Sequence, residues 1–236
     1  MVSLEVARQV VDWNTTEEAK AQAAGKPKNK ARRLNVLGIV MIDSMNPCQQ
    51  YFPKDVKVAS PNATTMQWGK HTKQETKESV MRCFKEARRM LGFWELPRWP
   101  KLQEQEQKQA DAGADTDAGG GEDSASGKST GPPPVVLLKA KENVPLQSEQ
   151  VAEGEVSRTD VHRKDETLGW GAYDEGMIRR VIEVEGNHFN LFTDTKRAES
   201  VTKGVNEGCE LLEALWTQNL RSREMMEREE WTVISY

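Results

Sequence analysis

Long apolar runs are missing from this chain of 236 residues, and nowhere do 18 apolar residues follow one another. A membrane-spanning helix is therefore not expected. Cysteine is scarce. Cys48, Cys83 and Cys209 are odd in number, far apart and form no C-x-x-C pair. That argues against a disulfide framework or a zinc site, and for a reducing compartment. Positive charge is not in excess: 33 Lys and Arg stand against 37 Asp and Glu, for a net charge of −4. Nothing electrostatic recommends nucleic acid as a partner. The first residues carry neither a basic cluster nor a long apolar stretch, so no signal peptide is read there. The expectation is a cytoplasmic location away from membranes. Internal repeats are absent. Gly127-Lys128-Ser129 lacks the upstream glycine and preceding strand of a phosphate-binding loop.

What is present alternates strand and helix patterns. Residues 1–13 predict an amphipathic helix, with Val2, Val6, Val10 and Val11 at helical spacing beside Leu4, Ala7 and Trp13. Residues 14–33 are polar and basic and read as a solvated loop or a helix extension. Residues 34–43 (LNVLGIVMID) form a near-continuous apolar run, which suits a strand covered on both faces. Residues 44–60, with Pro47 and Pro53, read as a loop. Residues 75–94 predict a second amphipathic helix, with Val80, Met81, Phe84, Ala87, Met90 and Leu91 along one side. Phe93, Trp94, Leu96 and Trp99 close it as a packing cluster.

Hydrophobic residues make up only 36% of the chain. Much of the polarity sits in residues 103–134, where Gln/Glu repeats give way to Gly, Asp and Ser. Such a segment offers no core to offset the entropy of ordering, and a disordered insertion is expected. Residues 135–140 (VVLLKA) and 178–184 predict two further buried strands. A long helix is expected from Asp194 to Glu230, with Gly204 and Gly208 as weak points. The layout is α/β with a parallel sheet. Three strands make a small sheet, so the domain looks incomplete.

Two polar residues fall just past strand ends. Asp43 closes the first apolar run, and His188 lies in Glu185-Gly186-Asn187-His188-Phe189 after the third strand. In open α/β sheets ligands bind outside the carboxyl ends of the strands. A histidine in a tight turn there can act as a general base, and a carboxylate can hold it in one tautomer. Taken alone, the five-residue segment suits a surface-loop histidine better, and it is the strand ending in Asp43 far upstream that tips the reading. His71 and His162 fall in polar surroundings and read as solvent-facing, without a role. Ser3 and Ser44 read as ordinary polar residues, since no G-x-S-x-G nucleophile elbow exists in the chain. Trp170 beside Gly169 reads as structural, packing near the His188 loop.

Five segments in order support a resemblance: LEVARQV at 4–10, GIVMIDSMNP at 38–47, VVLLKAKENVP at 135–145, LGW at 168–170 and EGNHFNLF at 185–192. On them the chain resembles the thioesterase domains at the end of fungal polyketide and nonribosomal peptide synthases, which are α/β-hydrolases. The resemblance implies an incomplete α/β-hydrolase fold, a parallel sheet flanked by helices, with a helical lid insertion and a disordered acidic, Gly-rich loop. Residues 1–47 would be the first part of the core, 48–102 the lid region, 103–134 the disordered insertion and 135–236 the second part of the core.

It further implies that Asp43 is the triad acid and His188 the triad base. The family's I-D-S-P reads Ile42-Asp43-Ser44-Met45 here, with Pro47 two places later. The family's nucleophile elbow would end about where Met1 stands, so the chain reads as truncated and, as it stands, inactive. No metal and no cofactor would be bound by the chain itself. An acyl substrate would arrive on the phosphopantetheine arm of an acyl carrier protein or synthase module, for hydrolysis or transfer. The alternatives are a non-catalytic remnant or binding module of the same fold, and an unrelated α/β binding domain.

Overall fold

A computed structural model describes residues 2–25, 34–60, 68, 70–97, 99, 131–146 and 151–233. Most of the expected disordered insertion, Gly127-Lys128-Ser129 and the basic residues 26–33 lie outside the described residues. The chain divides into two compact units. One comprises residues 1–39, 96–133 and 212–236, and the other residues 40–95 and 134–211.

The first unit holds α1 (Val2–Ala23), longer than the apolar pattern alone predicts. Salt bridges from Arg8 to Glu5 and to Asp12, both at 2.6 Å, tie its first turns together. Leu4 and Ala7, three residues apart, are its buried residues, whereas Val2, Val6, Val11 and Trp13 are exposed. Asn14 fixes the return of the chain, donating to the Leu34 carbonyl and accepting from the Leu34 amide.

The second unit is built on a sheet of three strands in the order β1 (Ile39–Ile42), β3 (Val135–Ala140), β5 (Ile178–Val184), with the first residue of β1 falling in the other unit. β3 and β5 run parallel, and one extra residue of β5 is accommodated at the Val135/Val136 step. A second, two-stranded parallel sheet joins β2 (Lys57–Val58) to β4 (Glu155–Val156). Neither of these short strands was expected. Two residues paired across about a hundred positions leave no periodic pattern to read.

The expectation of three fully buried strands holds for β3 alone. Val135, Val136, Leu137, Leu138 and Ala140 are all at 0% exposure. β1 is shorter than the apolar run, since residues 34–38 are not strand, and it buries alternate residues. Most of β5 is half-buried or exposed. The reason is position: β3 is central, and the other two flank it.

α3 (Thr195–Val233) lies on this sheet through two glycines one turn apart. A Cβ at Gly204 would stand 3.1 Å from Leu138, and one at Gly208 would stand 3.1 Å from Val136. The glycines expected to weaken the helix are therefore where it approaches the sheet closely. α2 (Gln74–Gly92) buries none of its residues, and Phe84, Met90 and Phe93 stand well exposed. Among the described residues no helix is long and apolar enough to cross a membrane. The architecture is α/β with parallel strands and flanking helices, compatible with an α/β-hydrolase-like layout.

Candidate active site

The carboxyl ends of all three strands of the larger sheet converge on one carboxylate. Asp43 follows β1 directly and is buried. Its amide donates to the Leu138 carbonyl at 2.6 Å, carrying the pairing with β3 one residue beyond the strand. Its φ of +41° lies in the left-handed region. A non-glycine residue there is under backbone strain, of the kind that persists where the surroundings fix it. The fixing groups are present. Ser44 accepts a hydrogen bond at its carbonyl from the Trp170 indole N–H at 2.6 Å. Buried Asn46 donates through its amide to the Leu168 carbonyl and through its side chain to the Gly169 carbonyl. Trp170 is fully buried and structural, as expected, but its contact is with the Asp43 loop.

His188 lies in the turn after β5. Gly186 there has φ +100°, and a Cβ would press on the Asn190 side chain, so the turn favours glycine. The Asn187 side chain accepts from the Phe189 amide, and the Asn190 side chain accepts from the Asn187 amide. The Gly186 carbonyl accepts from the Glu142 amide, just past β3. Held this way, His188 places Nδ1 at 3.0 Å from Asp43 Oδ2 and 3.2 Å from the Asp43 carbonyl. Its side chain is about a third exposed (32%). Nε2 has no hydrogen-bond partner among the described residues, and Phe189 packs edge-on against the ring. The structure thus brings together the two residues read from the sequence, 145 positions apart.

Asp43 Oδ1 accepts from the Ala140 amide at 2.9 Å and from Arg163 Nη1 at 2.5 Å, while Arg163 Nη2 donates to Oδ2 at 2.9 Å. Burial, the largest single influence, pushes the carboxyl pKa up. Hydrogen bonds from His188, Arg163 and the Ala140 amide, with the Arg163 charge, outweigh it and hold the group well below the usual carboxylate range. Asp43 is therefore an anion at any working pH. An imidazole with Nδ1–H given to a fixed carboxylate keeps Nε2 as an acceptor, the arrangement a general base needs.

Arg163 and Asp160 were not foreseen as part of this arrangement. His162, expected to face solvent, is instead 2% exposed. It packs edge-on against Phe52 and against Gly169, its Nε2 has no partner among the described residues, and burial lowers its pKa, with Asp165 and the Asn46 backbone opposing. His71 is exposed. A cavity of about 380 Å³ is lined by Val144, Leu146, Val156, Ser157 and Asp160 among others, and by neither Asp43 nor His188. Among the described residues no three His, Cys, Asp or Glu side chains are placed to hold a metal ion.

The sequence is similar to fungal proteins named thioesterases. The probable thioesterase gloN of Glarea lozoyensis is 27% identical over 179 residues, covering 76% of this chain and 59% of that protein. The thioesterase frbE of a Dothideomycetidae species is 24% identical over 218 residues, covering 90% of this chain and 62% of its own length. A probable thioesterase of Gibberella zeae is 27% identical over 169 residues, 70% of this chain and 39% of that protein. The chain thus spans about 60% of the length of the first two relatives. No protein-family model matches it, and no solved structure does so significantly.

Proposed function

We propose that this chain is the acid- and base-bearing part of a thioesterase-like acyl hydrolase of the α/β-hydrolase type. The observation that carries the reading is the hydrogen bond of His188 Nδ1 to buried Asp43 at the carboxyl ends of the sheet. Similarity to proteins named thioesterases supports it. In this reading the nucleophile is a serine on an elbow outside the given sequence, since no G-x-S-x-G occurs within it. His188 Nε2 takes the serine proton as the hydroxyl attacks an acyl thioester, then activates the water or acceptor that releases the acyl group. Asp43 orients the ring and stabilises it while it is charged. The substrate class is an acyl chain, polyketide or peptide, carried as a thioester on a phosphopantetheine arm, and the partner is an acyl carrier protein or synthase module. The chain without an elbow is inactive.

The test is hydrolysis of carrier-bound and small-molecule acyl thioesters by a protein in which this chain is joined to its own elbow-bearing segment. Changing His188→Ala there is expected to lower the rate by about 10³-fold or more. A rate within a few-fold of the parent would overturn the reading. If no elbow can be found upstream in the gene, the second reading gains: a non-catalytic module of the same fold, favoured by the absence of G-x-S-x-G from the sequence.

A further inference from the structure

Asp43 is not presented to His188 as a bare carboxylate. Arg163 grips it with both terminal nitrogens and also donates to the Ala140 carbonyl at 3.0 Å. An arginine so placed would neutralise the acid and leave the imidazole little charge to lean on. The arginine is itself neutralised. Its Nε and Nη2 donate to Asp160 Oδ1 at 3.0 and 2.8 Å, and Asp160 Oδ2 accepts from the Val144 amide at 2.7 Å. Asp43, Asp160 and the Arg163 side chain are all at least nine-tenths buried. Two carboxylates and one guanidinium sum to one negative charge, and Asp43 Oδ2 is the atom of this group that His188 Nδ1 meets.

We infer that Asp160 and Arg163 are positioning residues for the acid–base pair. Arg163 fixes the Asp43 carboxylate in the plane that reaches Nδ1, and Asp160 cancels the guanidinium charge so that His188 meets a net anion. This rests on the reading of Asp43 and His188 as acid and base. Bidentate guanidinium geometry supplies the orientation that a lysine's point charge lacks. Burial works against the Arg163 charge, yet the two aspartates hold its pKa above the ordinary value. Other charged groups about the His188 turn include the pairs Lys141 with Glu185 and Arg197 with Asp194, with Lys196 near Glu185 and Glu183 near Lys141.

Opposite changes of charge separate this role from a merely structural one. The measurement is the protonation curve of the His188 ring in the full 236-residue chain, followed by NMR of its ring carbons, with folding checked by circular dichroism. Asp160→Asn leaves the group neutral, so the midpoint is expected to fall by about half a pH unit or more. Arg163→Gln leaves two carboxylates uncompensated, so the midpoint is expected to rise by a similar amount. Arg163→Lys, which keeps the charge, stays near the parent. Shifts in the same direction for the first two variants, or no shift in a folded Asp160→Asn chain, would overturn the inference. Should Arg163→Gln fail to fold, Asp160→Asn against the parent still decides it. The titration needs no turnover, so a failure of the thioesterase reading would show in the hydrolysis assay and leave this result standing.

Discussion

Two histidines bear on the loop that follows β1, from two different segments, and they are built for opposite ends. His188 is a third exposed, has a buried carboxylate on Nδ1 and keeps Nε2 open. His162 is buried, lies between Phe52 and Gly169 and has no partner for Nε2 among the described residues. Protonating His188 places a cation beside an anion. Protonating His162 places a cation in a pocket where burial opposes it more than Asp165 and the Asn46 backbone favour it. In the proposed reading, what separates a working imidazole from a packing one is a fixed carboxylate that stabilises the ring while it is charged.

Backbone substitutions break this comparison hardest. At Gly169, φ is +84° and a Cβ would stand 2.7 Å from the His162 ring, which is packed and cannot move aside. Gly169→Ala combines left-handed strain of about 1 to 2 kcal/mol with overpacking of about 1 to 3 kcal/mol. In denaturant unfolding the loss should come to about 2 to 5 kcal/mol, summing those two costs. At Gly186 the obstructing atoms are the ends of the Asn190 and Arg197 side chains, which can swing away. Gly186→Ala should therefore cost about 1 to 2 kcal/mol, mostly the backbone strain. Equal losses at the two glycines would mean that the His162 pocket is no tighter than the His188 turn.

Smaller in effect, and sharper in what it distinguishes, is the pH dependence of stability. The unfolded chain takes up a proton at His162 near the ordinary histidine pKa of about 6.5, whereas burial makes the folded chain resist it. The unfolded state then binds more protons, so stability falls as pH drops below that value. His162→Gln should flatten this slope in denaturant midpoints measured between pH 5 and 8. A slope unchanged in His162→Gln would remove His162 as its source. Asp43 contributes in the same direction but at lower pH. Its pKa is depressed in the fold, so its stabilisation is present above the ordinary carboxylate range and is lost only when pH falls well below it.

How much of this was legible beforehand follows from where the signals lie. β3 and β5 could be bounded from their apolar runs, and α2 and α3 nearly so from the helical spacing of their apolar residues, although α2 buries none of them. Asp43 and His188 were legible because each sits at the end of such a run, where a polar residue is conspicuous. Arg163 and Asp160 were not. Three residues apart in a polar stretch, they look like any solvated ion pair on a helix. Their burial comes from a long-range pairing across 120 positions that leaves no local pattern. His162 was misjudged for a related reason: its polar neighbour Arg163 is satisfied by distant Asp43 rather than by solvent, while nearby Asp165 is exposed and bonded locally. The two-residue strands β2 and β4 are too short to carry any period.

The central claim is that Asp43 serves His188, and one substitution addresses it most directly. Asp43→Asn preserves shape and a hydrogen-bonding side chain but removes the charge that holds the Nδ1–H tautomer. Hydrolysis of an acyl thioester should be measured in the protein that carries this chain together with its elbow. The account predicts a fall of about 10⁴-fold, the size of loss seen when a triad carboxylate becomes an amide. A folded Asp43→Asn protein working within about ten-fold of the parent would contradict it, and would leave the Asp43–His188 contact as a brace between strand ends.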